Sequence, residues 1–294
     1  MKISTTTDAL HHLGGDEFAV RELAKIGFDA MDFSLFMYHG PQSPLRSNAR
    51  ELNSYFTRLK NVCREVGIEV GQSHAPMPTY VYNGTKNEEQ FCKMVASIYA
   101  SEALDCPYCV IHPPILPHRR YDENYDENRE LCLDLYSRLI PHLEKTGVKL
   151  AVENMFNWDP EKGRICPTIC SSAKEMAYYV DTLGSCFVNC LDIGHTNLTP
   201  STGESTADMI RILGKDRLKT LHVHDNDGVR DQHTVPYKGN MNWDEICKAL
   251  KEIGYDGTFS FEADEFVKCF PGEVRIAAIK VIYQTGLYLT EKIG

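Results

Sequence analysis

No apolar run in this chain approaches the ~20 residues that a helix needs to cross a bilayer, and the opening MKISTTTDAL lacks the charged-then-apolar pattern of a secretory leader. These absences predict a cytoplasmic protein with no membrane partner. Basic runs are missing too: Lys and Arg number 31 against 41 Asp and Glu, a formal net charge of -10 at pH 7. Nucleic acids are held chiefly by clustered Lys and Arg against phosphates, so the balance disfavours a nucleic-acid partner. No glycine-rich turn follows the first β-type run, where Thr5, Thr6, Thr7 and Asp8 stand. That disfavours the dinucleotide-binding form of an open doubly wound sheet. A disulfide framework is lacking as well, because the eleven cysteines are odd in number and scattered through predicted helices and strands. Cys106 and Cys109 have the spacing of a redox pair, but CPYCVIHPP runs on as strand instead of opening a helix. Cys166 and Cys170 have no second pair nearby to complete a zinc set.

What is present is alternation of short β-type runs with helical runs from end to end. Strands are expected at Lys2–Thr7, Phe28–Leu35, Ile68–His74, Tyr108–His112, Val148–Asn154, Phe187–Asp192, Leu218–His224 and Thr258–Glu262. Helices are expected at Glu17–Ile26, Asn48–Val66, Asn87–Leu104, Glu127–Thr146, Ser172–Leu183, Thr206–Leu213, Trp243–Ile253 and Glu273–Leu289. Gly27, Gly67, Gly147, Gly184 and Gly254 each follow a predicted helix, where a glycine fits the left-handed position. Leu131, Leu135, Leu139 and Leu143 recur at spacing four on one helix face and read as core. The stretch after the fifth strand, with Trp158, Arg164 and two prolines, reads as a long loop, and Arg119 and Arg120 as part of another. Eight βα units without a break in composition predict an α/β fold, a (β/α)₈ TIM barrel in a single domain over residues 1–294, with its active site at the C-terminal ends of the strands.

Those ends are unusually polar. His74, His112, Glu153, Asp192, His222 and Glu262 end successive predicted strands, and His195 follows three residues after Asp192. Each of the three carboxylates closes an apolar run, as in LAVE, VNCLD and TFSFE, where burial without a partner is costly. A cation would satisfy them together; the alternative for Glu153 or Glu262 is pairing with a lysine or arginine. The stretch LHVHDNDGVRDQH, Leu221 to His233, packs three histidines and three aspartates into one strand end and its loop. Thr220, His222 and His224 fall on one strand face, and Asp231 with His233 could fold back over His222. Imidazole with carboxylate suits zinc, manganese or iron. The bland readings are turn histidines at His74 and His112, a brace for Asp192 at His195, packing at His224, and turn residues at Asp225 and Asp227. His11, His12, His39, His118 and His142 read as surface or loop residues.

The strand ends VEN, LDIGH, LHVHDND followed by DQH, and FSFEAD resemble the xylose-isomerase-like barrel superfamily over essentially the whole chain. That superfamily includes sugar isomerases and epimerases, inosose dehydratases, and the endonuclease-four type of apurinic endonuclease. For the epimerase branch the resemblance implies a divalent metal site on Glu153, Asp192, His222 and Glu262, with the two glutamates as acid and base. For the endonuclease branch it implies three zinc ions on His74, His112, Glu153, Asp192, His195, His222, Asp231, His233 and Glu262. Met155, Phe156, Asn157 and Trp158 depart from the small, glycine-containing segment of the endonucleases, and Pro236-Tyr237-Lys238-Gly239 from the P-G-x-G that the family commonly shows after His233.

The expectation is therefore a metal-dependent isomerase or epimerase of a small sugar, keto-sugar or cyclitol. Its cofactor would be Mn²⁺ or Zn²⁺, with Fe²⁺, Co²⁺ and Mg²⁺ left open. Catalysis falls to Glu153 and Glu262, and substrate contacts to His195, His74, His112 and Trp158, with Phe156 and Tyr38 as further pocket walls. His74, His112, His195, Asp231 and His233 are candidate ligands of additional metal. A dehydratase or lyase acting through the same enolate, and a zinc phosphodiesterase acting on abasic DNA, are the alternatives. A homo-oligomer is a further expectation.

Overall fold

The computed structural model describes residues 1–81, 84–116 and 125–294. His118, Arg119 and Arg120, read above as loop residues, lie outside these. In chain order the elements are β1 (Ile3–Thr5), α1 (Asp8–Gly14), α2 (Asp16–Ile26), β2 (Ala30–Ser34), α3 (Ala49–Val66), β3 (Glu69–His74), α4 (Gly84–Ala103), β4 (Tyr108–Val110), α5 (Tyr125–Thr146), β5 (Lys149–Glu153), β6 (Phe156–Asp159) and β7 (Arg164–Pro167). They continue as α6 (Ala173–Leu183), β8 (Phe187–Asp192), α7 (Ile193–Leu198), α8 (Thr206–Arg217), β9 (Leu218–His222), α9 (Trp243–Glu252), β10 (Phe259–Phe261), α10 (Asp264–Lys268) and α11 (Gly272–Ile293).

β2, β3, β4, β5, β8 and β9 form one parallel sheet in that order, and β1 pairs with β10. Parallel bridges Thr6–Asp32 and Val223–Phe261 join the two sheets on either side and close an eight-stranded barrel. Side chains alternate along each strand, so one set faces the helices and the other the barrel interior. Leu150, Val152, Leu191, Leu221, Phe259 and Phe261 belong to the large core under the helices. Val110, Ala151, Val188 and Cys190 form a small cluster inside the barrel. Two residues beyond Val110, Ala151 and Cys190 on the same faces come His112, Glu153 and Asp192. Each interior face thus runs from small apolar or polar residues to a ligand-type side chain at its C-terminal end.

Helix ends follow local chemistry. Asn48 caps α3 through Arg50 N and Glu51 N, Ser205 forms a capping box with Asp208 on α8, and Asn242 caps α9 through Glu245 N. Leu135, Leu139 and Leu143 of α5 are buried as expected, and Leu131 is half-buried.

Apart from shifts of other element ends, such as β9 closing at His222 and α11 running on to Ile293, the structure departs from the sequence reading as follows. The expected loop after β5 is an antiparallel hairpin in which β6 pairs with β7. Its turn is organised by Asp159, which accepts from Glu161 N and Lys162 N, and by Gly163 at φ 61°. Three short helices, α1, α7 and α10, span 7, 6 and 5 residues, too few for a 3.6-residue period to declare itself. The sixth predicted helix runs on to Arg217 through a break at Gly214, φ 64°. Finally, the strand predicted at Tyr108–His112 ends at Val110, although His112 still reaches the site.

Candidate metal centre

β5, β8, β9 and the end of β10 deliver Glu153, Asp192, His222 and Glu262, whose ligand atoms all lie within 4.8 Å of one another, every residue buried. His222 Nδ1 stands 2.9 Å from Glu153 Oε1 and 3.3 Å from Glu262 Oε2. Two further groups flank this set. His74 and His112 join Glu153, with His112 Nε2 3.0 Å and His74 Nε2 3.5 Å from Glu153 Oε2. On the other side His195, His224, Asp231 and His233 converge. Asp231 and His233 therefore fold back over His195 and His224, not over His222 as the sequence suggested.

The alternative of a lysine or arginine partner for Glu153 or Glu262 is not realised: among the described residues every ion-pair partner of Glu153, Asp192, Asp231 and Glu262 is a histidine. Glu153 Oε2 and Asp231 Oδ1 are buried and lack a properly directed hydrogen bond. Carboxylates this dense, facing imidazoles and with orphaned oxygens, fit a divalent cation well.

Outer partners orient the rings. His74 Nδ1 lies 2.9 Å from Ala75 O, His195 Nδ1 2.8 Å from Asn154 O, and His233 Nδ1 2.9 Å from Glu262 O. A ring N–H donating to a backbone carbonyl leaves Nε2 bare to face the cluster. Asn154 also ties β5 to β8: its Nδ2 donates to Asp192 O at 2.9 Å and its Oδ1 accepts from Asp192 N at 2.7 Å. Asp192 Oδ1 caps α7 by accepting from His195 N at 2.7 Å. His224 Nε2 approaches the same oxygen at 3.0 Å, while its ring stacks on His233 at 4.0 Å. His233 itself sits at φ 36°, an uncommon backbone for a non-glycine residue.

The two glutamates differ electrostatically in the metal-free protein. Burial acts to raise both. At Glu153 the imidazoles of His222 and His112 outweigh it and hold the carboxyl well below the usual range. At Glu262 burial prevails over His222 and His233 and pushes the carboxyl up to about 7. Burial lowers His195, but Asp192 and Asp231 more than reverse this and raise it to about 10.

Other candidates settle elsewhere. Phe156 touches the site, its ring 4.9 Å from that of His195. Trp158, two residues along the same hairpin face, is 56% exposed and stands at the rim. Tyr38 is not a pocket wall: it is buried with its hydroxyl donating to Asp16 at 2.6 Å. His11, expected as a surface or loop residue, is half-buried on α1 and pairs with the same Asp16 at 2.6 Å. Asp225, expected as a turn residue, is fully buried and accepts from Asn226 N, Tyr237 N, Met241 N and Trp243 Nε1. Gly239 permits this, since a Cβ there would lie 2.2 Å from Asp225 Oδ1. Cys106 and Cys109 are free, buried thiols, and burial pushes Cys109 up to about 11, which suits inert thiols. Sequence reasoning missed Asp32, a buried carboxylate with Oδ2 3.2 Å from His222 Nε2. The signal was the acid inside the apolar run MDFS, the same cue that marked Glu262.

Comparison with known proteins fits this geometry. The chain belongs to the xylose isomerase-like TIM barrel family, whose model matches residues 20–282. It is 34% identical over 163 residues to an uncharacterised protein of Methanocaldococcus jannaschii, an alignment covering 54% of this chain and 51% of that protein. A D-psicose 3-epimerase of Enterocloster bolteae is 36% identical over 95 residues, 32% of this chain and 29% of that one. The matched stretches thus span about half or less of these relatives. In structure it resembles a D-tagatose 3-epimerase-like protein, with TM-score 0.73 and 20% identity over the full length of both chains. It resembles equally an IOLI protein with a bound zinc atom, with TM-score 0.73 and 17% identity over 100% of this chain and 99% of that one. Among the described residues no helix is long and apolar enough to cross a membrane.

Proposed function

We propose that this protein is a divalent-metal-dependent isomerase or epimerase of a small sugar, keto-sugar or cyclitol. The observation that carries the reading is the buried quartet Glu153, Asp192, His222 and Glu262, four ligand atoms within 4.8 Å facing no lysine or arginine among the described residues. Its similarity to a D-psicose 3-epimerase and to a D-tagatose 3-epimerase-like protein supports it. Zinc or manganese suits this mixture of carboxylate and imidazole. When bound, the cation supplies Lewis acidity toward a carbonyl and its neighbouring hydroxyl, which lowers the cost of removing the proton between them.

The chain's own residues move that proton. Glu153 is the more acidic carboxyl and is ionised at neutral pH; Glu262, near 7 without metal, holds or releases a proton with little cost. If one glutamate takes the proton and the other returns it to the opposite face, a centre inverts. Return to the adjacent carbon isomerises, and loss of water instead gives the dehydratase variant. His195, His74 and His112 offer polar contacts to substrate oxygens, and Phe156 and Trp158 wall the approach. A non-phosphorylated substrate is favoured, because the Lys268 ammonium is already engaged by Asp8, Asp264 and Glu265.

One observation favours a second reading: the two flanking groups contain the remaining ligands of a three-zinc phosphodiesterase for abasic DNA. The net charge of -10 and the bulky Phe156–Trp158 hairpin weigh against it. The test is deuterium incorporation from D₂O into a panel of ketoses and inososes, read by NMR. The sugar reading expects exchange at a carbon next to a carbonyl that disappears in Glu262→Gln. Absence of exchange with metal-loaded protein across the panel, together with cleavage of abasic DNA, would overturn it.

A further inference from the structure

His222 is oriented unlike the other histidines at the cluster. His74, His195 and His233 each turn Nδ1 to a backbone carbonyl and Nε2 to the carboxylates. His222 turns Nδ1 to Glu153 and Glu262, so its outer nitrogen is Nε2, which points into the barrel. There Asp32 Oδ2 lies 3.2 Å away, close enough to accept from Nε2 after a small turn of the ring, which has no aligned hydrogen bond at Nε2 in the metal-free protein.

Asp32 is fully buried on β2, opposite Gln72 and one layer beneath the Ser34–His74 pair. Gln72 Nε2 donates to the same Oδ2 at 2.7 Å and to Leu221 O at 3.2 Å, so the amide ties Asp32 to the strand that carries His222. Among the described residues the only ion-pair partner of Asp32 is His222. Burying a polar carboxyl group is costly unless its atoms find partners.

We infer that Asp32 is a positioning residue: by accepting the Nε2–H of His222 it fixes the tautomer that presents the Nδ1 lone pair to a metal. This rests on the metal reading above. A carboxylate behind a ligating imidazole sets the ring's orientation and raises its basicity. The backbone carbonyls behind His74, His195 and His233 do the same and cannot be removed by substitution. Asp32 can.

The test compares zinc affinity, by competition with a chromogenic chelator, for wild type, Asp32→Asn and Asp32→Leu. The amide oxygen of Asn can occupy the place of Oδ2 and accept from both Gln72 and His222, so Asp32→Asn should stay within roughly tenfold of wild type. Leucine has a similar shape and no acceptor, so Asp32→Leu should bind zinc roughly 10- to 100-fold more weakly than Asp32→Asn. A purely structural carboxylate predicts equal zinc affinity in all three. ¹⁵N NMR of the wild-type imidazoles gives a second measurement, independent of whether a variant folds: His222 must carry its proton on Nε2 in the zinc-loaded protein. A proton on Nδ1, or Asp32→Leu binding as tightly as Asp32→Asn, would overturn the inference. Wild type that binds no zinc would instead remove the metal reading on which it stands.

Discussion

Substituting Gly194 by alanine sets two physical arguments against each other. Gly194 is the second residue of α7 and its φ is not positive, so helix propensity alone predicts stabilisation by up to about 1 kcal/mol. The structure predicts the opposite sign. A Cβ at Gly194 would lie 1.9 Å from His224 Cε1, 2.3 Å from Nδ1 and 2.5 Å from Nε2. To reach an ordinary carbon contact the ring must retreat by roughly 1.6 Å. It is held by the stack on His233 at 4.0 Å and by the hydrogen bond of its Nε2 with Asp192 Oδ2 at 3.2 Å. Losing a hydrogen bond to a buried carboxylate costs about 1.5–3 kcal/mol, and overpacking costs about 1–3 kcal/mol. Against the propensity gain, a net loss of about 3 kcal/mol is expected. Urea unfolding of the metal-free protein reads it as a lower midpoint at unchanged slope, and zinc affinity should fall as Asp192 loses its clamp. A Gly194→Ala protein as stable as wild type would refute the packing of His224 described here.

Glu262→Gln should raise the stability of the metal-free protein at pH 8. The folded carboxyl, near 7 against an ordinary 4.5, binds its proton more tightly than the unfolded one. Ionisation therefore costs stability progressively above pH 4.5 and fully above about pH 7, a matter of about 3 kcal/mol. The gain should vanish near pH 4.5; unfolding at several pH values in chelator checks it, and equal stability at pH 8 would show that Glu262 is not strained. Asp225→Ala removes one acceptor from three backbone N–H groups and the Trp243 indole. It should cost at least about 4 kcal/mol, and a loss below 1 kcal/mol in the same assay would contradict the role assigned to Asp225.

The eight strands and their order of ligands were legible because burial and chemistry wrote the same pattern: apolar alternation ending in a carboxylate or histidine. Glu153, Asp192, His222 and Glu262 converge for that reason. Pairings between distant strand ends were not legible. Nothing local says that Asp231 and His233 meet His195 and His224 instead of His222, since that depends on a loop held by Asp225 and Gly239. Asp32 escaped notice because it sits two residues before its strand's end, where an acid has no visible partner until His222 of β9, a strand not paired with β2, reaches it through the barrel interior. Tyr38 shows the converse: an aromatic near a strand end looks like a pocket wall until Asp16 is found to hold its hydroxyl.

The central claim is a divalent cation at Glu153, Asp192, His222 and Glu262, and the most direct measurement is metal content per chain by elemental analysis. It should be made on protein purified without added metal, with Asp192→Asn and His74→Ala beside it. The account predicts close to one divalent ion per chain, kept in His74→Ala and lost in Asp192→Asn. Three zinc ions falling in His74→Ala, or no metal even after incubation with it, would contradict the account.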